Sequence, residues 1–129
     1  MHYLFFTYDQ VLKIHEESIE SFGGAPGIRD INLLKSALAQ PSATFYGDYL
    51  HKDLYEMAAA YLFHTVNNHP FIDGNKRTGA LLALIFLSLH EVEVICSQQE
   101  LYEAIIKVAE GKMAKEKVVE WLRRSTEYN

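Results

Sequence analysis

The sequence predicts an all-α protein: a compact helical bundle in a single domain, residues 1–129, with one short flap. Three observations carry that expectation. Apolar residues recur at helical spacing in six stretches. Extended-chain residues concentrate in one Tyr-rich segment and one short Val/Ile run. No linker, repeat or low-complexity tract divides the chain, and 129 residues can bury a core without metal or disulfide staples.

Thr7 is a capping residue for a first helix, with Val11, Ile14, His15, Ser18, Ile19 and Phe22 along its apolar stripe and Gly23 and Gly24 as its stop. "GGAPGIRD" reads as a turn-rich connector. Asp30 caps a second helix that Pro41 terminates. "SATFYGDYLHKD" combines Thr, Phe and two Tyr around a glycine, the composition of a flap or small hairpin. A third helix follows, with Leu54, Met57, Ala58, Tyr61 and Leu62 on one side and Pro70 as its end. "GNKRTGALLALIFLSLHE" is a helix that is apolar nearly all round beyond its first turn, which predicts a central, buried element. "VEVICS" is a short extended piece. Two closing helices follow, built around Ile105, Val108, Val119, Trp121 and Leu122.

Bulk properties narrow the function. Apolar residues make up 49% and charged residues 22%, as in ordinary globular proteins. The formal charge of −5 argues against direct binding of nucleic acid, which needs a basic face. A single cysteine, Cys96, excludes an internal disulfide and fits a reducing compartment. No signal-peptide pattern opens the chain, and its longest apolar run, Ala80 to Leu89, is about half what a membrane span needs. The expectation is a cytoplasmic protein without membrane association. The histidines outside the motif below lack zinc-ligand spacing.

The chemistry concentrates in "HPFIDGNKRTG", residues 69–79, where a polar loop opens the most apolar helix. The first turn of a helix carries unpaired N–H groups and the positive end of the dipole, so it attracts anions, phosphate above all. Gly74 allows close approach to the backbone, Asn75 adds an amide, and Lys76 and Arg77 add donors suited to phosphate. Asp73 supplies the hard oxygen that Mg²⁺ prefers. His69 is the side chain suited to general-base work near neutral pH. Phe71 is expected to turn inward and anchor the loop. Plainer roles exist: Asp73 as a cap or as the partner of Lys76 or Arg77, and His69 as a helix C-terminal residue. Two bases at the positive end of a dipole are harder to explain without a bound anion.

This stretch resembles the Fic/Doc family. Its Doc branch, the death-on-curing toxins, shows H-x-F-x-[DN]-[AG]-N-K-R, and His69, Phe71, Asp73, Gly74, Asn75, Lys76 and Arg77 fill every fixed position. Fic adenylyltransferases instead read H-P-F-x-x-G-N-G-R-x-x-R; Lys76 stands at their second glycine position and Ala80 at their second arginine. The resemblance therefore implies the Doc arrangement: ATP bound with its γ-phosphate toward the target, and phosphate transferred to a threonine hydroxyl of elongation factor Tu. On this resemblance His69 takes the target proton, Asp73 binds Mg²⁺, and Gly74, Asn75, Lys76 and Arg77 hold phosphate oxygens. Thr44, Phe45, Tyr46 and Tyr49 of the flap would align the target. Asn67 stands where some Doc proteins have a basic residue, so that contact does not carry over.

The self-inhibitory pattern [ST]-x-x-x-E-[GN] of some Fic proteins fails here, since Ile106 precedes Glu110 and Gly111 at the position needing Ser or Thr. The resemblance then implies inhibition in trans by a Phd-like antitoxin, with its groove expected near the flap among Phe45, Tyr46 and Tyr49. Two other functions compete: AMP transfer, disfavoured by Lys76 and Ala80, and binding of a ribosomal component or antitoxin without catalysis, which does not need His69.

Overall fold

The computed structural model describes residues 2–128. Among these the chain forms six helices and two small antiparallel ladders. Helix α1 (Tyr8–Phe22) starts at a capping box: Thr7 Oγ accepts from the Gln10 N–H at 3.1 Å, and the Gln10 side chain accepts from the Thr7 N–H at 2.9 Å. Asp30 caps α2 (Ile31–Ala39) and Asp53 caps α3 (Leu54–Asn68), each accepting from an N–H three residues on. The expected flap is a hairpin, β1 (Thr44–Phe45) paired with β2 (Asp48–Tyr49).

Helices α3 and α4 (Asn75–Leu89) form the central pair, and α3 is buried almost all round. They touch closely because Gly79 faces α3; a Cβ there would stand 3.1 Å from Val66 and 3.3 Å from the Leu62 carbonyl. Tyr61, Phe86, Leu62, Leu82 and Met57 fill the core around this pair, and α1, α2, α5 (Gln98–Ala109) and α6 (Lys115–Arg124) cover it. No helix of the described residues is long and apolar enough to cross a membrane.

Three expectations need correction and a fourth needs completing. Phe22 is 69% exposed rather than on the buried stripe of α1, and the Arg77 guanidinium lies over its ring. On α6, Val118 and Leu122 are buried, whereas Val119 and Trp121 pack only partly against the core. Helix α4 is not fully enclosed: Leu81 and Leu84 are only half-buried and Leu89 is exposed. "VEVICS" does form a strand, β3 (Val92–Val94), but its partner β4 (Thr126–Tyr128) was not foreseen. Residues that close a sheet with a segment over thirty positions away carry no local signal.

Candidate active site

The loop between α3 and α4 is held by the connector that follows α1. The Arg29 and Asp30 N–H groups donate to the Pro70 carbonyl at 2.7 and 3.0 Å, and the Ile72 N–H donates to the Gly27 carbonyl at 3.0 Å. Ile28 and Phe71 form the bridge of this antiparallel pairing. Phe71 is fully buried, as expected, with its ring parallel to that of His15 at 3.8 Å.

His69 ends α3 in the left-handed conformation, φ 50° and ψ 54°, where glycine is the usual occupant. A side chain there costs roughly 1–2 kcal/mol, and such strain collects at functional sites. The imidazole is exposed, and neither ring nitrogen bonds another described residue, so both are free for a substrate. Its carbonyl accepts from Arg29 Nε at 2.6 Å, and the Asn68 carbonyl accepts from Arg29 Nη2 at 2.9 Å.

Asp73 is exposed at the other end of the loop, and it is not a conventional cap. Gly74 takes the N-cap position of α4, and no side chain caps that helix. Instead Asp73 Oδ2 accepts from the Ala25 N–H at 2.9 Å and Oδ1 from the Gly74 N–H at 2.8 Å. These two bonds, with lesser help from the charge of Arg77, hold the carboxyl below its ordinary pKa. It is therefore ionised at neutral pH with a lone pair left on each oxygen. The approach needs Gly24: its φ is +120°, and a Cβ there would lie 2.8 Å from Asp73 Oδ2.

The four expected phosphate ligands differ. Gly74 adopts φ 75° and leaves the N–H groups of Asn75, Lys76 and Arg77 without side-chain caps. The Asn75 amide is 4% exposed and doubly engaged, accepting from the Phe71 N–H at 2.9 Å and donating to the Phe71 carbonyl at 3.0 Å. Its side chain thus locks the loop, and its free backbone N–H is what remains for an anion. Arg77 is anchored to α1, with Nε donating to Ser18 Oγ at 2.5 Å and Nη2 to the Gly23 carbonyl at 2.8 Å, and it lies over the Phe22 ring. Lys76 is exposed and makes no bond or ion pair with any described residue.

These groups line one cavity of about 420 Å³, walled by His69, Asp73, Gly74, Asn75, Lys76 and Arg77 together with Val66 and Ala109. A base, a carboxylate, uncapped helix N–H groups and two cations thus face one space. A single exposed carboxylate fits Mg²⁺, which completes its shell with water and phosphate oxygens. Among the described residues no group of three or more His, Cys, Asp or Glu could hold a metal by itself.

The flap is not brought here. Thr44, Phe45, Tyr46 and Tyr49 do not line the cavity. Tyr49 packs on Tyr3 and Phe5, and Phe5 stacks on Phe86, eleven residues along α4 from its start. At 1.5 Å per residue that is about 16 Å from the loop. A cavity of about 540 Å³ opens beside the site, where Ala80, Leu81 and Leu84 of α4 face Leu101, Tyr102 and Ile105 of α5. Lys76, Arg77 and Phe22 line it too, so the two cations border both spaces.

Residues 5–87 match the model of the Fic/DOC family. The chain belongs to that family. It is similar to the protein kinase doc of Escherichia phage P1, 32% identical over 116 residues covering 90% of each chain. It is also similar to the toxin Doc of Mycolicibacterium smegmatis, 42% identical over 74 residues that make up 57% of each. The all-α fold with its motif loop between two central helices is the family's architecture. Three contributors to the site were not foreseen: Arg29, His15 and the connector N–H of Ala25. Each acts across forty or more positions, and only the two glycines before Ala25 hinted at a close approach.

Proposed function

We propose that this protein is the toxin of a toxin–antitoxin pair, a Doc-like kinase that transfers the γ-phosphate of ATP to a protein hydroxyl. The observation that carries the reading is the shared cavity, in which an unengaged His69 imidazole faces an ionised Asp73 and the uncapped N-terminus of α4. The names of the two relatives, a protein kinase and a toxin, support it.

In this reaction the target hydroxyl oxygen bonds to the γ-phosphorus, the bond from that phosphorus to the bridging oxygen breaks, and ADP departs. His69 takes the hydroxyl proton through a ring nitrogen. The N–H groups of the first turn of α4 and the Lys76 ammonium hold phosphate oxygens, and preorganised donors of this kind supply most of the catalysis in phosphoryl transfer. Arg77 offers the part of its fork that α1 does not engage. Mg²⁺, when bound at Asp73, supplies a positive charge that screens the phosphates. Ala80 adds no second arginine, which favours phosphate over AMP transfer.

The target class is a translation factor, elongation factor Tu on a threonine, so that modification stops protein synthesis in the cytoplasm. The antitoxin, of the Phd type, occupies the apolar groove between α4 and α5, whose lining suits the apolar face of a helix. An acidic residue at its end would meet Lys76 and Arg77.

The test is a labelling comparison. Purified protein, Mg²⁺ and elongation factor Tu are incubated with ATP labelled at the γ- or the α-phosphate. Transfer from the γ position alone is expected. Transfer from the α position makes the protein a nucleotidyl transferase, and absence of both from a folded protein that still binds its antitoxin leaves a binding function.

A further inference from the structure

His69 and Asp73 stand at the two ends of one short loop, and a different side chain from outside the motif grips each. Arg29 lies in the connector. Its Nε and Nη2 donate to two consecutive carbonyls, those of His69 and Asn68, at 2.6 and 2.9 Å. A cation near a helix C-terminus is common, and a single contact would satisfy the dipole. Here the guanidinium fork spans the turn in which His69 is left-handed, a conformation that persists only when its surroundings impose it. The direction in which the imidazole leaves the backbone is set by that turn.

His15 is the counterpart at Asp73. It sits on the inner face of α1, 3% exposed, where leucine or phenylalanine would be the ordinary occupant. Phenylalanine would reproduce the stack on Phe71. What it lacks is Nε2, which lies 2.9 Å from the Asp73 carbonyl. A carbonyl only accepts, so Nε2 carries the hydrogen. The bond fixes the peptide plane between Asp73 and Gly74, and the Gly74 N–H of that plane donates to Asp73 Oδ1. One buried imidazole therefore orients the carboxylate through the backbone.

We propose that Arg29 and His15 are separate positioning residues of this site: Arg29 aims the His69 imidazole, and His15 aims the Asp73 carboxylate. This rests on the roles given above to His69 and Asp73, and it assigns their control to two residues of the connector and α1.

The experiment uses the full chain with Arg29→Ala, Arg29→Lys, His15→Phe and His15→Gln. NMR follows the His69 ring nitrogens and the titration of the Asp73 carboxyl, and nucleotide binding is measured against Mg²⁺ concentration. Arg29→Ala is expected to shift the His69 resonances and leave the Asp73 titration in place. It should lower kcat roughly 100-fold, the scale of a small misplacement, with KM for nucleotide unchanged. Arg29→Lys keeps the charge but loses the fork and should behave like Arg29→Ala. His15→Phe is expected to raise the Asp73 pKa toward its ordinary value and to increase the Mg²⁺ needed for nucleotide binding roughly tenfold. The His69 resonances should stay in place. His15→Gln keeps a donor and should leave the Asp73 titration near that of the natural chain.

Three results overturn the proposal: Arg29→Lys matching the natural chain, His15→Gln moving Asp73 as far as His15→Phe, or each variant shifting both groups in proportion to its lost stability in urea. The NMR arms need no turnover. Expected shifts in a chain that transfers no phosphate would sink the kinase reading and leave the positioning roles standing.

Discussion

At one end of the α3–α4 pair, the loop 69–74 has its carbonyls and N–H groups engaged by Arg29, His15, Asn75 and the connector backbone. At the other end, the flap has a two-residue ladder and holds Phe45 and Tyr46 out in solvent. The loop end contains a left-handed histidine and a carboxylate pressed against glycine backbone, an arrangement that survives only under constraint. The flap end contains aromatic surface with little to fix it. Chemistry needs groups held to fractions of an ångström, whereas recognition of a protein surface tolerates adaptable side chains. The contrast fits the chemistry proposed for the first end and contact with a partner at the second.

The strongest attack on that contrast is His69→Ala. Loss of a general base costs roughly 100- to 10,000-fold in rate, and because the ring is exposed and unengaged the urea midpoint should not move. A mutant that transfers phosphate normally would remove His69 from the chemistry. Asn75→Ala comes next and should act through structure. It strands the buried Phe71 N–H and carbonyl, a loss of roughly 1–3 kcal/mol, readable as a lower urea midpoint with lost nucleotide binding. Unchanged stability would mean that Asn75 does not lock the loop. Gly24→Ala should cost roughly 1–3 kcal/mol from its backbone conformation alone and displace Asp73, whose oxygen stands 2.8 Å from the new Cβ. A rise in the Asp73 pKa is the signature to look for.

Between the two ends, α6 is fastened to α3 by Lys115 Nζ, which lies 3.3 Å from both His64 Nε2 and His51 Nε2. Burial first, and the Lys115 charge second, hold His64 down at about 4, against an ordinary 6.5. The unfolded chain binds a proton in that window that the folded chain does not. Stability should therefore fall as pH drops from about 6.5 toward 4, by less than about 1.4 kcal/mol per unit, since the ring is only half-buried. His64→Gln should reduce the slope of the urea-midpoint profile across that window, the remainder belonging to His51, which burial and the Lys115 charge also lower; an unchanged slope would place the titration elsewhere.

The helices were legible in the sequence because their signals are local: Thr7 and Asp30 as caps, Gly23 as a stop, Val11 and Met57 on periodic stripes. The motif was legible for the same reason, with His69, Asp73 and Lys76 within eight residues. Most of what escaped depends on two distant segments meeting. Arg77 read as a free phosphate ligand until Ser18 and Gly23 proved to engage it. Asn75 read as an amide for the ligand until its amide turned back on Phe71. The flap read as part of the site because it precedes the motif helices, yet Tyr49 packs against Tyr3 and Phe5.

The smallest expected effect is the most useful for the contrast. Tyr46 is 91% exposed at the flap tip with φ 51°, and its ring stands 4.4 Å from that of Phe45. Tyr46→Ala should leave the urea midpoint within about 0.5 kcal/mol, as surface changes do. Tyr46→Gly should be neutral or slightly stabilising, because glycine enters the left-handed region freely. Neither should change nucleotide binding, since the flap lines no part of the cavity. If either raises KM for the protein target and leaves KM for nucleotide untouched, the flap is a recognition surface and the separation of the two ends is functional. If either weakens nucleotide binding, the flap closes over the loop during the reaction, and the division between an ordered catalytic end and a loose recognition end is wrong.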